Sequence, residues 1–193
     1  RQRHLTIPCE MCIRDRQHCC IDTDYMVGAK LEGFDVMVRL TEEAKVMVFE
    51  GDEYLTSALD LRPKFHLYKP DIALVSGIAW DHMNVFPTFE NYISQFRIFM
   101  EMVPDTGSLI YCNTDGEVQK VALEVAGKMK KLPYGVPQHY VEEGKTYLIT
   151  DVGKVPLKVF GNHNLMNLEG ARMVCNQLNI SNADFYTAIS SFK

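Results

Sequence analysis

The chain has 193 residues, a formal net charge of −5, 47% hydrophobic and 23% charged residues. That length suits one sizeable domain, and that balance excludes a disordered or fibrous chain. The acidic balance gives no electrostatic reason for nucleic acid or an anionic membrane as partner, and no apolar run approaches the ~20 residues of a membrane span. A reducing cytoplasmic setting is therefore the default.

Cys9, Cys12, Cys19 and Cys20 crowd the start, with His4 and His18 close by. Cys9-x-x-Cys12 has zinc-knuckle spacing, but no second pair follows and the stretch lacks hydrophobic periodicity. Met11-Cys12-Ile13-Arg14-Asp15-Arg16 resembles translated adapter sequence, so residues 1–16 are set aside as a non-native or disordered leader.

From Asp22 onward, strand and helix signals alternate. Lys45–Phe49 is a short apolar run ending on Glu50-Gly51-Asp52-Glu53, which predicts a buried parallel strand with an acidic carboxyl end. Ile72–Ile78 predicts a second strand, ending at Asp81-His82. Thr88 to Val103 carries Phe89, Tyr92, Ile93, Phe96, Phe99 and Met100 at helical spacing, with Thr88 placed to cap the start. Pro104-Asp105-Thr106-Gly107 breaks that helix before a strand at Ser108–Cys112. Asp115 to Lys131 reads as one helix with Val118, Val121, Ala122, Val125 and Met129 on one face. Thr146–Thr150 and Val155–Phe160, joined through Asp151-Val152-Gly153-Lys154, predict a β-hairpin. Asn164–Leu178 predicts a helix, and Ser181 or Asn182 caps a last one reaching about Phe192. Strands alternating with helices predict an α/β domain: a mainly parallel sheet flanked by helices, with a small antiparallel β addition.

Open parallel sheets bind ligands at the carboxyl ends of their strands. Two predicted strands end there in metal-competent side chains: Glu50, Asp52 and Glu53 on one, Asp81 and His82 on the other. Hard divalent ions such as Mg²⁺ favour such oxygen ligands, while a solvated turn accounts equally for several of them. Gly161-Asn162-His163-Asn164-Leu165-Met166-Asn167 follows a strand and opens a helix. Asn164 and Asn167 share a helix face, and paired amides suit the edge of an adenine; ordinary capping is the competing explanation. The sequence contains no G-x-x-x-x-G-K-[ST], no G-x-S-x-G and no H-E-x-x-H.

Three motifs in order, Glu50-Gly51-Asp52-Glu53-Tyr54, then Ser76-Gly77-Ile78-Ala79-Trp80-Asp81-His82, then Gly161 to Asn167, resemble the central domain of the Mur ligases. The likeness runs from about Asp22 to the end. It implies a partial central ATP-binding domain over residues 17–193, lacking its phosphate loop, with the N-terminal UDP-binding and C-terminal domains absent. Glu50-x-Asp52-Glu53-Tyr54, Asp60–Phe65 and Val85-Phe86-Pro87 are most similar to one branch of the family. That branch joins UDP-N-acetylmuramate to the tripeptide L-Ala-γ-D-Glu-meso-diaminopimelate in peptidoglycan recycling. The sister branch, which adds L-alanine, more typically has Ser at the position of Tyr54.

The resemblance implies ATP and Mg²⁺ as cofactors. Glu50 and His82 are then the metal-holding catalytic residues, His163, Asn164 and Asn167 line the adenine site, and Arg62 contacts substrate or forms an exposed ion pair. Gly51, Gly77 and Ala79 depart from the family pattern, and Arg97 lies in the region where several members carry a carbamylated lysine. The fragment is expected to be inactive alone. Two other readings stay open: a nucleotide-binding module acting through the Asn164 region, and a metal-dependent phosphohydrolase using Glu50, Asp81 and His82.

Overall fold

A computed structural model of the chain describes residues 22–28, 36–51, 53–80 and 83–190. The cysteine-rich leader, Asp52, Asp81 and His82 lie outside the described residues. Two compact units divide the chain: one built from the residues up to Glu50 together with those from Gly135 onward, the other from Gly51–Tyr134.

In the first unit, β1 (Thr23–Met26) lies between β2 (Val38–Arg39), antiparallel, and β3 (Val46–Phe49), parallel. β3 occupies the predicted strand and is parallel to its neighbour, but it is half-buried rather than fully buried. β1 escapes sequence reading because Thr-Asp-Tyr-Met carries a carboxylate where a core strand carries an apolar group. The buried Asp24 is tolerated because its carboxylate accepts the Thr41 N–H at 2.7 Å and the Thr41 hydroxyl at 3.1 Å.

The same unit contains the antiparallel sheet β7 (His139–Glu142), β8 (Lys145–Thr150) and β9 (Gly153–Leu157), the last two forming the expected hairpin. Two helices follow. α3 (Asn162–Gln177) begins two residues before the predicted start, and α4 (Asn182–Ile189) is capped by the Ser181 side chain on the Asp184 N–H. Leu148, Val155 and Leu157 of the hairpin pack with Leu165, Leu168, Ala171 and Cys175 of α3 and Phe185 and Ile189 of α4. Among the described residues, Cys112 and Cys175 are buried and not disulfide-bonded.

The second unit is a parallel sheet, β4 (Ile72–Val75), β5 (Ser108–Cys112) and β6 (Lys130–Tyr134), flanked by α1 (Phe89–Glu101) and α2 (Gly116–Glu124). β5 is central and buried at every position, so its polar ends give no alternation to read. Tyr92, Phe96 and Met100 of α1, Val118, Val121 and Ala122 of α2, and Leu109 and Tyr111 of β5 form one core. The Thr88 hydroxyl accepts the Asn91 N–H at the start of α1, as expected from the sequence.

The single helix expected over Asp115–Lys131 is wrong in its second half. α2 ends at Glu124, Gly127 takes a φ of +127°, and Lys130–Tyr134 becomes an edge strand paired with β5. Met129 is buried as the helical register suggested, but from the strand side of the turn. Pro133 is tolerated because, among the described residues, β6 pairs with β5 alone and lies at the sheet edge. The Lys131 ammonium then donates to the Val125 carbonyl at 2.6 Å, satisfying the end of α2.

Candidate functional site

Glu50 stands one residue past the end of β3, at the carboxyl end of a parallel pair. Its Oε2 accepts the Gly28 backbone N–H at 2.5 Å, just beyond the end of β1. A Cβ at Gly28 would stand 3.2 Å from that oxygen, so Gly28 is where the chain makes room for the carboxylate. Nothing in the local sequence marks Gly28; only the parallel register of β1 and β3 brings it beside Glu50. A carboxylate oriented by a backbone amide at a strand's carboxyl end has the donor chemistry Mg²⁺ requires, so Glu50 fits such an ion. Its predicted partner His82 lies outside the described residues. No cluster of three or more His, Cys, Asp or Glu able to hold a metal ion occurs among the described residues.

Within the second unit, the Glu53 carboxylate accepts the Tyr92 hydroxyl at 3.4 Å, which ties the acidic turn to α1. The chain on either side of Asp81-His82 is braced. Upstream, Asp115 Oδ2 accepts the Ile78 N–H at 3.2 Å while Oδ1 accepts Glu117 and Val118 N–H, both at 3.0 Å. One carboxylate therefore caps α2 and pins the segment leading into the motif. Downstream, the Trp80 indole N–H donates to the Phe86 carbonyl at 3.0 Å, closing the loop across its base. Asp115 is legible in the sequence as a helix cap, but its bond to Ile78 is not, because the two are 37 positions apart.

Arg62 forks onto Asp60, with Nε–Oδ1 at 2.9 Å and Nη2–Oδ2 at 2.7 Å. The pair is exposed, and the guanidinium holds the Asp60 carboxyl down to about 2. This is the ion-pair alternative for Arg62; a substrate role requires it to leave or share Asp60.

Gly161 precedes α3 with φ +84°, a region that favours glycine, and this turn delivers the motif to the first turns of the helix. The Asn164 amide donates to the Phe160 carbonyl at 2.9 Å, which orients its side chain with the oxygen as remaining acceptor. Asn167 is 1% exposed, and its amide lies 3.3 Å from His163 Nε2. The structure brings the three residues to one end of α3 but gives them different standing. His163 is exposed, Asn164 is half-buried, and Asn167 lies beneath them within the core. An exposed imidazole beside an oriented amide oxygen suits the face and amino edge of an adenine.

Elsewhere in the first unit, Arg172 forks onto Glu169, with Nε–Oε2 at 2.9 Å, and donates to Asn182 Oδ1 at 2.8 Å, locking α4 against α3. The paired carboxylate raises the Arg172 pKa. No helix among the described residues is long and apolar enough to cross a membrane.

A family model described as Mur ligase middle domain matches residues 29–175. The chain is 29% identical over 114 residues to the UDP-N-acetylmuramate–L-alanine ligase of Roseiflexus sp. (strain RS-1), covering 59% of this chain and 22% of that protein. It is 24% identical over 185 residues to the UDP-N-acetylmuramate–L-alanyl-γ-D-glutamyl-meso-2,6-diaminoheptandioate ligase of Escherichia coli (strain K12), covering 91% of this chain and 40% of that protein. The chain thus spans well under half the length of these curated relatives.

Among solved structures, UDP-N-acetylmuramate:L-alanyl-γ-D-glutamyl-meso-diaminopimelate ligase from Neisseria meningitides superposes with TM-score 0.84 at 20% identity, over 100% of this chain and 64% of that one. The MurF ligase from Thermotoga maritima in complex with ADP gives TM-score 0.74 at 16% identity, over 100% of this chain and 47% of that one. At these identities the structural likeness establishes the fold.

Proposed function

Because the chain belongs to the Mur ligase family through its middle domain, we propose that it is the nucleotide- and metal-handling part of an ATP-dependent, amide-forming ligase. The intact enzyme joins UDP-N-acetylmuramate to L-Ala-γ-D-Glu-meso-diaminopimelate in peptidoglycan recycling, in the bacterial cytoplasm where both ATP and UDP-sugars are available. The muramate carboxylate is activated as an acyl phosphate, which the peptide amine then attacks. Residues 17–193 are part of the central domain in this reading. The sequence contains no G-x-x-x-x-G-K-[ST] phosphate loop, so the activity is tested on the intact gene product.

The observation that carries the proposal is that the matched span, residues 29–175, contains all three motifs, with Glu50 at a strand's carboxyl end and His163 and Asn164 at a helix start. Glu50 and His82 would hold Mg²⁺, which supplies neutralisation of phosphate charge as the acyl phosphate develops. Gly28 orients Glu50 through its N–H. Asp115 and the Trp80–Phe86 bond hold the described residues on either side of Asp81-His82. His163 and Asn164 receive the adenine, and Asn167 positions His163 from below.

The test is ADP release by the intact gene product with UDP-N-acetylmuramate and the tripeptide. Release that needs both substrates and is lost in Glu50→Ala and His82→Ala supports the reading. The L-alanine-adding activity is the second reading, favoured by relatives such as the Roseiflexus protein; turnover with L-alanine but not tripeptide would establish it. Absence of ADP with either amine sinks the ligase assignment.

A further inference from the structure

The second unit contains a pocket of about 250 Å³ between the loop after the acidic motif, the loop after Asp81-His82, and the start of α1. Leu55, Leu61, Val85, Phe86 and Pro87 form its apolar wall, and Asn91 supplies an amide at its edge. Pockets for whole small molecules run from ~300 to ~1,000 Å³, so this one suits a single substituent of a larger substrate.

Its lining contains no charged side chain, and the nearby Arg62 is engaged by Asp60. A carboxylate or phosphate would therefore find no counter-charge in the lining. The lining favours a neutral occupant, with an apolar end and a hydrogen-bonding end. The polar groups agree with this. Asn91 uses its backbone N–H to cap on Thr88, and no hydrogen bond engages its side-chain amide among the described residues. Gln95, four residues on and also lining the pocket, spends its Nε2 on the Asn91 carbonyl and the Ser94 hydroxyl. That leaves Gln95 Oε1 as an acceptor beside the donor and acceptor of Asn91, the complement of a secondary amide.

We propose that this pocket receives the acetamido group of the amino-sugar substrate, its methyl against Val85 and Leu61 and its amide against Asn91 and Gln95. The inference rests on the ligase reading above and adds a specificity determinant to it. Of the neutral groups on the two substrates, the acetamido group alone combines a methyl with a secondary amide at a free end.

The experiment compares UDP-N-acetylmuramate with its de-N-acetylated counterpart, using the intact enzyme and ADP release. Asn91→Leu keeps the helix and the backbone cap but removes the amide. It is expected to raise KM for the acetylated sugar on the order of tenfold, with KM for ATP unchanged and no penalty on the de-acetylated sugar. Val85→Phe, which fills the apolar end, is expected to give the same pattern. Equal penalties on both sugars, or none on either in both variants, overturn the proposal. Failure of the wild-type enzyme to release ADP with any sugar or amine would instead mark failure of the ligase reading itself.

Discussion

In the β4–β5–β6 unit, apolar core and polar site residues are separated along the chain, whereas in α3 they are interleaved. The sheet buries Ala73, Val75, Leu109 and Tyr111, and its polar groups wait on the loops beyond the strand ends. In α3, Leu165 and Leu168 are buried beside Asn167, which is itself 1% exposed, while His163 and Asn164 of the same two turns face outward. Loop-borne groups are thus free to change without disturbing packing, at the price of needing braces such as Asp115. Helix-borne groups inherit their positions from the core, and the buried one among them, Asn167, cannot be changed without cost to it.

This contrast is sharpest where packing alone is at stake. Phe185→Ala, which empties the fully buried anchor of α4 against α3, should lower unfolding free energy by about 3–5 kcal/mol in denaturant titration. It should also weaken nucleotide binding, because the same core seats Asn167; unchanged ATP affinity in a folded variant would separate site from core in α3 after all.

A step smaller, Asn167→Ala should cost about 1–3 kcal/mol and also reduce ATP affinity by calorimetry, since it removes the Asn167 contact on the His163 ring. Asn164→Ala, on the half-buried side, should reduce ATP affinity with stability changed by less than about 0.5 kcal/mol. If the two behave alike, the interleaving carries no consequence.

For the loop-borne half, Asp115→Ala should cost about 1–2 kcal/mol through loss of the α2 cap. Its further effect should be a lower kcat in the ADP-release assay of the intact enzyme, because the Ile78 N–H is released with it. Asp115→Ser restores a cap without reaching both partners, and should recover stability more fully than kcat.

The smallest effect belongs to the exposed Asp60–Arg62 fork. The guanidinium depresses the Asp60 carboxyl to about 2 from an ordinary 3.8, so the stability it adds is fully present above pH 3.8 and is lost as pH falls toward 2. Carbon-detected NMR titration should place the Asp60 midpoint near 2 in the native chain and return it toward 3.8 in Arg62→Ala. A midpoint already near 3.8 in the native chain would show that Arg62 is disengaged from Asp60 and available to substrate.

By itself the sequence determined the α/β class, β3, β4 and β5, the cap at Thr88, a cap at Ser181 or Asn182, the hairpin, and the motif at the start of α3. These rest on local rules: periodicity, capping chemistry and turn residues act over a few positions. β1, β6 and β7 were left to tertiary structure. β1 buries a carboxylate satisfied from Thr41, and β6 exists because a neighbour in the sheet offers hydrogen bonds that outweigh the helical register running into Met129. The site divides the same way. Glu50, His163 and Asn164 could be named from their motifs, but Gly28 beside Glu50, Ile78 beneath Asp115 and the Trp80–Phe86 closure depend on pairings that only the folded chain makes. The burial of Asn167 beneath His163 was likewise decided by which face of α3 the hairpin and α4 cover.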